Sequence, residues 1–137
     1  MTATGTATTA AAVGRRRPPS APRVSVVHLV VDTADLSRAV AFWSALLDLP
    51  VTDRDSAWVD LAAVGDGGPV LAFQQVPEVK TGKNRLHLDL EVSDIEAAGD
   101  YALWLGASPV SPVQGPPGRT WRVWRDPEGN EFCLVTA

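Results

Sequence analysis

The chain has a single cysteine, Cys133, so no internal disulfide can staple it and its thiol content does not point to an oxidising compartment. No apolar run comes near the roughly 20 residues that a membrane-crossing helix needs. Basic residues are outnumbered: 12 Lys and Arg against 16 Asp and Glu leave a net charge of −4. That balance argues against nucleic acid and anionic membranes as partners. Histidine is scarce too. His28 and His87 are the only two, which makes their placement informative. The rest is ordinary, with 45% apolar and 20% charged residues in a chain of 137, enough for one globular domain with its own core.

Residues 1–23 differ from the rest of the chain. They are mostly Thr and Ala, then Gly14-Arg15-Arg16-Arg17-Pro18-Pro19, with no apolar periodicity. A signal peptide places its charge before an apolar core, whereas these arginines come after a stretch too polar for that role. The segment is expected to be a disordered tail, which leaves 24–137 as the folded domain and the cytoplasm as its location.

Within the folded part the chain repeats itself at an offset of 59 residues. His28-Leu29-Val30-Val31 followed by Asp35 recurs as His87-Leu88-Asp89-Leu90 followed by Asp94. Leu36, Ala39, Phe42, Leu46 and Pro50-Val51 find counterparts in Ile95, Ala98, Tyr101, Leu105 and Pro109-Val110. Two copies are too few for a solenoid, which needs about three repeats. They suit one domain with pseudo-twofold symmetry, unit one over 24–79 and unit two over 84–137.

Each unit reads as β-α-β-β-β. In unit one Val24–Val31 is a β-branched strand, and Asp35 caps a helix with the stripe Leu36, Ala39, Val40, Trp43, Leu46 and Leu47. Strands come next near 51–54, 57–64 and 70–76, the last two joined by Gly65-Asp66-Gly67-Gly68-Pro69. In unit two Arg85–Val92 is a strand, and Asp94 caps a helix with the stripe Ile95, Ala98, Ala102 and Leu105. Strands near Val110, Trp121–Arg125 and Glu131–Thr136 complete it, the last two joined by Asp126-Pro127-Glu128-Gly129. The proline-rich loop 111–118 is long for its place, as loops bordering sites often are.

The period-two rule sorts the strand residues by face. Leu86, Leu88, Leu90 and Val92 form one apolar face, so His87, Asp89 and Glu91 share the other. In the first strand Val27, Leu29 and Val31 turn inward and His28 does not. Phe132 and Leu134 are core, and Glu131, Cys133 and Val135 face away. Leu71 and Phe73 are core, and Ala72 and Gln74 are not. Both histidines therefore lie on the side of the strands opposite the helices.

These features together resemble the vicinal-oxygen-chelate superfamily, which holds glyoxalase I, the extradiol dioxygenases and the bleomycin-resistance proteins. Asp126-Pro127-Glu128-Gly129-Asn130 is the most specific of them. Within that group the chain is most similar to the small bacterial glyoxalase-like domains. The resemblance implies an α+β fold in which two tandem β-α-β-β-β units form a cupped mixed sheet with helices outside, and a homodimer. It also implies up to four metal ligands from the first and fourth strands of each unit. His28 and His87 match two of those positions. The family's second-unit carboxylate falls at Cys133, with Glu131 two residues earlier on the same face. Its first-unit counterpart falls at Ala72, which cannot bind a metal.

The chemistry has two readings. The first is a small-molecule protein that binds or transforms a cyclic or aromatic metabolite in a cavity between the two units, without the full metal site. Trp58, Trp121 and Trp124 would offer stacking faces, Arg122 and Gln74 polar contacts, and His87, Asp89 and Glu131 acid–base groups. Trp121 and Trp124 are an odd step apart and face opposite sides, so at least one of them belongs to the core. The second reading is a divalent-metal lyase, isomerase or extradiol-type dioxygenase, with Fe, Zn, Mn or Ni held by His28 and His87 and by Glu131 or Cys133. Asp126 and Glu128 are read as turn residues with no chemistry.

Overall fold

The computed structural model describes residue 14 and residues 16–137. In chain order its elements are β1 (His28–Thr33), α1 (Leu36–Leu47), β2 (Val51–Arg54), β3 (Trp58–Ala63) and β4 (Val70–Gln75), then β5 (Leu88–Glu91), α2 (Ile95–Leu105), β6 (Ser108–Pro109), β7 (Trp121–Arg125) and β8 (Glu131–Val135). The β-α-β-β-β order thus occurs twice. Each unit forms its own four-stranded sheet, ordered β1-β4-β3-β2 and β5-β8-β7-β6. Within each sheet the first and last strands of the unit pair in parallel and the other pairings are antiparallel. Of the expected tail, residues 1–13 and 15 lie outside the described residues, and 14 and 16–23 form neither helix nor strand.

Both helices begin where an aspartate can hold their free N–H groups. Asp35 accepts from Arg38 N at 3.1 Å, and Asp94 accepts from Glu96 N and Ala97 N at 3.1 and 3.0 Å. α1 ends at Asp48 in the left-handed region (φ 51°), before Pro50 is reached. α2 ends at Gly106 (φ 110°), a conformation that favours glycine.

Two strands are shorter at their starts than their β-branched and apolar residues predict. β1 begins at His28, because its only strand partner among the described residues, β4, begins at Val70, directly across from His28. Val24, Val26 and Val27 precede that pairing and are 84%, 67% and 64% exposed. β5 begins at Leu88, opposite Phe132 on β8, so Leu86 stands outside the sheet and is 87% exposed. Val27 and Leu86 therefore leave the apolar faces assigned to them. The rest of those faces holds, with Leu29, Val31, Leu88, Leu90 and Val92 packed against the core.

That core is shared between the units. Ala39, Val40, Phe42 and Trp43 of α1 join Val59, Leu61, Leu71 and Phe73 of the first sheet, and Ala102, Trp124, Phe132 and Leu134 of unit two, in one buried cluster. Phe132 meets both Trp43 and Phe42, with ring centroids 5.2 and 6.0 Å apart. The turn after β7 reinforces the join: buried Asp126 accepts from Trp43 Nε1, and Glu128 accepts from Thr33 Oγ1 and from Asp35 N. The helices cover one face of the sheets and leave the other open.

Candidate functional site

On the open face of unit two the parallel register sets Asp89 of β5 beside Cys133 of β8. His87 lies two residues before Asp89, so alternation brings it to the same side. His87 Nε2 is 3.3 Å from Asp89 Oδ1. One donor atom from each of His87, Asp89 and Cys133 lies within 4.8 Å of the others. These three form the floor and rim of a cavity of about 370 Å³, walled by Trp121, Val123, Val135 and Phe132, with Lys83 and Glu131 at its edge.

Trp121 is held in place from behind. Gly115, at φ 94°, lies so close that a Cβ there would run into the indole ring and the Arg119 carbonyl. Gln114 and Trp121 exchange backbone hydrogen bonds at 2.9 and 3.0 Å, which pins the loop to β7. The long loop thus supports the cavity wall, and Trp121 keeps 38% of its surface exposed.

Charge at the site is set by neighbours. Glu131 accepts a hydrogen bond from Lys83 Nζ, which holds its carboxyl below the usual carboxylate range, with the charges of Arg125 and Lys80 adding to the effect. Burial pushes the Cys133 thiol up, and the adjacent Asp89 pushes it further. The thiol is therefore protonated at neutral pH and behaves as a weak nucleophile.

Unit one carries a related but different arrangement. The registers make Val30 equivalent to Asp89, Trp58 to Trp121 and Asp60 to Val123, when Ala72 is set against Cys133. Each open face thus has a histidine at or just before the start of its first strand and a tryptophan on its third. The carboxylate has changed strands, from β3 in unit one to β5 in unit two. His28 Nε2 stands 3.7 Å from Asp60 Oδ2 and its ring meets Trp58 edge-on at 5.8 Å. Trp58 Nε1 donates to Asp60 Oδ1 at 2.6 Å.

The expected site residues are thereby divided. His87, Asp89, Cys133, Glu131 and Trp121 share the unit-two cavity. His28 turns to Asp60 and Trp58, though it and His87 both line a larger groove of about 1050 Å³ running between β1 and the 76–86 connection. Gln74 sits opposite Trp58 on the first sheet, away from the cavity. Trp124 is 2% exposed and belongs to the core. Arg122 is held against it, with its guanidinium 4.9 Å from the Trp124 ring centroid and Nε donating to Ser111 O at 2.8 Å. Asp60 and Lys83 join the site without being among the residues that the sequence points to. The period-two rule applied to β3 finds Asp60 beside Trp58, whereas nothing in the irregular connection marks Lys83.

The four ligand positions implied by the resemblance do not converge on one ion. Ala72 offers no donor and His28 faces Asp60, while Glu131, the carboxylate two residues before the Cys133 position, is held by Lys83. Among the described residues, the His87, Asp89 and Cys133 group is the one whose donors meet.

A profile of the glyoxalase-like domain matches residues 28–135. No curated protein matches the chain in sequence. Among solved structures, a glyoxalase/bleomycin resistance protein/dioxygenase family enzyme from Burkholderia phytofirmans superposes with a TM-score of 0.70 at 16% identity, covering 82% of this chain and 98% of that one. A glyoxalase-related enzyme from Fulvimarina pelagi gives 0.66 at 16% identity, covering 81% and 86%. A glyoxalase/bleomycin resistance protein/dioxygenase from Nocardioides gives 0.65 at 20% identity, covering 85% of each chain. The profile match takes in both histidines and the Asp126 turn, and the chain belongs to the glyoxalase-like domain family of the vicinal-oxygen-chelate superfamily.

Proposed function

We propose that this chain binds a small cyclic or aromatic metabolite on the open face of unit two. The observation that carries the reading is the cavity itself: an indole face and apolar wall on one side, and the His87–Asp89 pair on the other. A volume of about 370 Å³ lies at the small end of the range for ligand pockets. Stacking on Trp121 would hold a flat ring, and His87 and Asp89 would orient its oxygen or nitrogen substituents. In the metal-free protein, His87 held by Asp89 is also placed to act as a general base on such a ligand. Lys83, which neutralises Glu131, adds a cation at the rim. We place the folded domain at 24–137 and the protein in the cytoplasm. We read it as a homodimer, because among the described residues β1 and β5 each pair on one side alone and leave apolar residues such as Val27 and Leu86 exposed beside their open edges.

The rival, a divalent-metal lyase, isomerase or extradiol-type dioxygenase, needs His28 and His87 on one ion. It draws support from the groove that both line, and is weakened by the pairing of His28 with Asp60. The test is tryptophan fluorescence of the metal-free protein titrated with a panel of phenols, quinones and nitrogen heterocycles. Saturable quenching that disappears in Trp121→Leu and persists in Trp58→Leu supports the reading. Quenching lost in Trp58→Leu alone would move the ligand to unit one, and no saturable quenching would sink the proposal.

A further inference from the structure

Building on that reading of unit two's open face, we propose that unit two alone holds a divalent ion of the zinc type, bound by the His87 imidazole, the Asp89 carboxylate and the Cys133 sulfur. No residue of unit one takes part. The set differs from the one the resemblance implies, since it replaces His28 and a glutamate with Asp89 and a thiolate.

The fold builds two of these three ligands into paired strands and sets the third just before one of them. Asp89 and Cys133 are register partners in a parallel pair, and His87 stands two residues upstream of Asp89 on the same side. A tetrahedral ion with bonds of about 2.0–2.3 Å separates its ligand atoms by about 3.3–3.8 Å. The His87–Asp89 distance of 3.3 Å already meets that requirement, and the full group lies within 4.8 Å. The remaining closure is a shift of about 1 Å by side chains that are free to make it. His87 and Asp89 are 49% and 59% exposed, while Cys133 is fixed on the sheet.

The donor types choose the ion. One nitrogen, one oxygen and one sulfur suit zinc, whereas magnesium and calcium favour oxygen alone. On coordination the thiol proton leaves to solvent and the sulfur binds as thiolate. Three protein ligands leave the fourth position open, as in catalytic sites. Glu131 does not fill it, because Lys83 and Arg125 hold that carboxylate.

The experiment is a titration of metal-free, tag-free full-length protein with Co(II), followed by displacement with Zn(II). About one equivalent should bind and produce a thiolate-to-cobalt charge-transfer band. Cys133 is the only cysteine, so such a band can come from no other residue. Asp89→Asn and His87→Ala should weaken binding by more than the roughly 10- to 100-fold that an outer-shell partner is worth. Cys133→Ser should abolish the band. His28→Ala should change neither band nor affinity. Should Cys133→Ser fail to fold, the wild-type band and Asp89→Asn, an exposed site, still decide. Absence of binding, binding without the band, or loss of binding in His28→Ala each overturns the proposal. Because no organic ligand is present, the result is independent of the fluorescence titration.

Discussion

Trp43 on α1 donates its indole N–H to Asp126 Oδ2 at 3.1 Å, a buried bond between residues 83 apart in the chain. Asp126 also accepts from Glu128 N, Asn130 N and Asn130 Nδ2 at 2.9, 2.9 and 3.1 Å. One carboxylate therefore shapes the turn after β7 and ties it to the helix of the other unit. Trp43→Phe keeps an aromatic ring and removes one charged hydrogen bond, which should cost about 1.5–3 kcal/mol. Asp126→Ala strands several donors and should cost more. Urea unfolding followed by circular dichroism measures both, and equal stability of Trp43→Phe and wild type would deny the bond its role.

Gly99 marks the place where α2 comes closest to the second sheet. A Cβ there would stand 2.9 Å from Trp124 Cζ2, and Trp124 is buried against the core and under Arg122. The ring has nowhere to go. On helix propensity alone Gly99→Ala should stabilise α2 by about 1 kcal/mol. The clash should reverse that sign and leave a net loss of about 1–3 kcal/mol, as overpacked cores do. Thermal unfolding of the variant reads the sign directly.

How far the sequence predicts this molecule varies by element. Asp35 and Asp94 cap the helices because a short side-chain oxygen after a strand reads locally, and both stripes pack as their spacing requires. Strand starts are less legible. Val24–Val27 has strand composition, but strand existence depends on a partner, and β4 runs out at Val70. The faces of β7 are half legible: alternation separates Trp121 from Trp124 without saying which is buried. Asp126-Pro127-Glu128-Gly129 reads as a plain turn from its own residues. Its bonds to Trp43, Thr33 and Asp35 come from the other unit, and no local rule pairs residues so far apart. The His87–Asp89 pair is visible from period two, whereas the turn of His28 toward Asp60 depends on β3 lying where it does.

The ion pair of Glu131 with Lys83 should appear in the acid limb of stability. The folded carboxyl is held below its ordinary value, chiefly by the hydrogen bond from Lys83. A lowered carboxyl contributes stability that is present above its unfolded pKa and is lost as pH falls through the folded value. Stability should therefore drop on acidification below the ordinary carboxylate range, and Glu131→Gln should flatten that drop. Lys83→Met should flatten it too, because it removes the group that lowers the pKa. Urea midpoints at a series of acid pH values measure the slope. An unchanged slope in both variants would assign the acid loss to other carboxylates.

Cys133 should be slow to alkylate in the metal-free protein, and Asp89 should be part of the reason. Burial raises the thiol's pKa first, and the neighbouring carboxylate raises it further by repulsion of the thiolate and by their hydrogen bond. Only the thiolate attacks iodoacetamide, so the rate should track its fraction. At neutral pH the native protein should react far more slowly than the same chain in urea. The native rate should climb only at pH above the ordinary thiol range. Asp89→Asn keeps the shape of the side chain and removes the charge, so it should shift the rate profile to lower pH. Asp60→Asn, on the open face of unit one, should leave it unmoved. A profile identical in wild type and Asp89→Asn would show that burial alone governs the thiol.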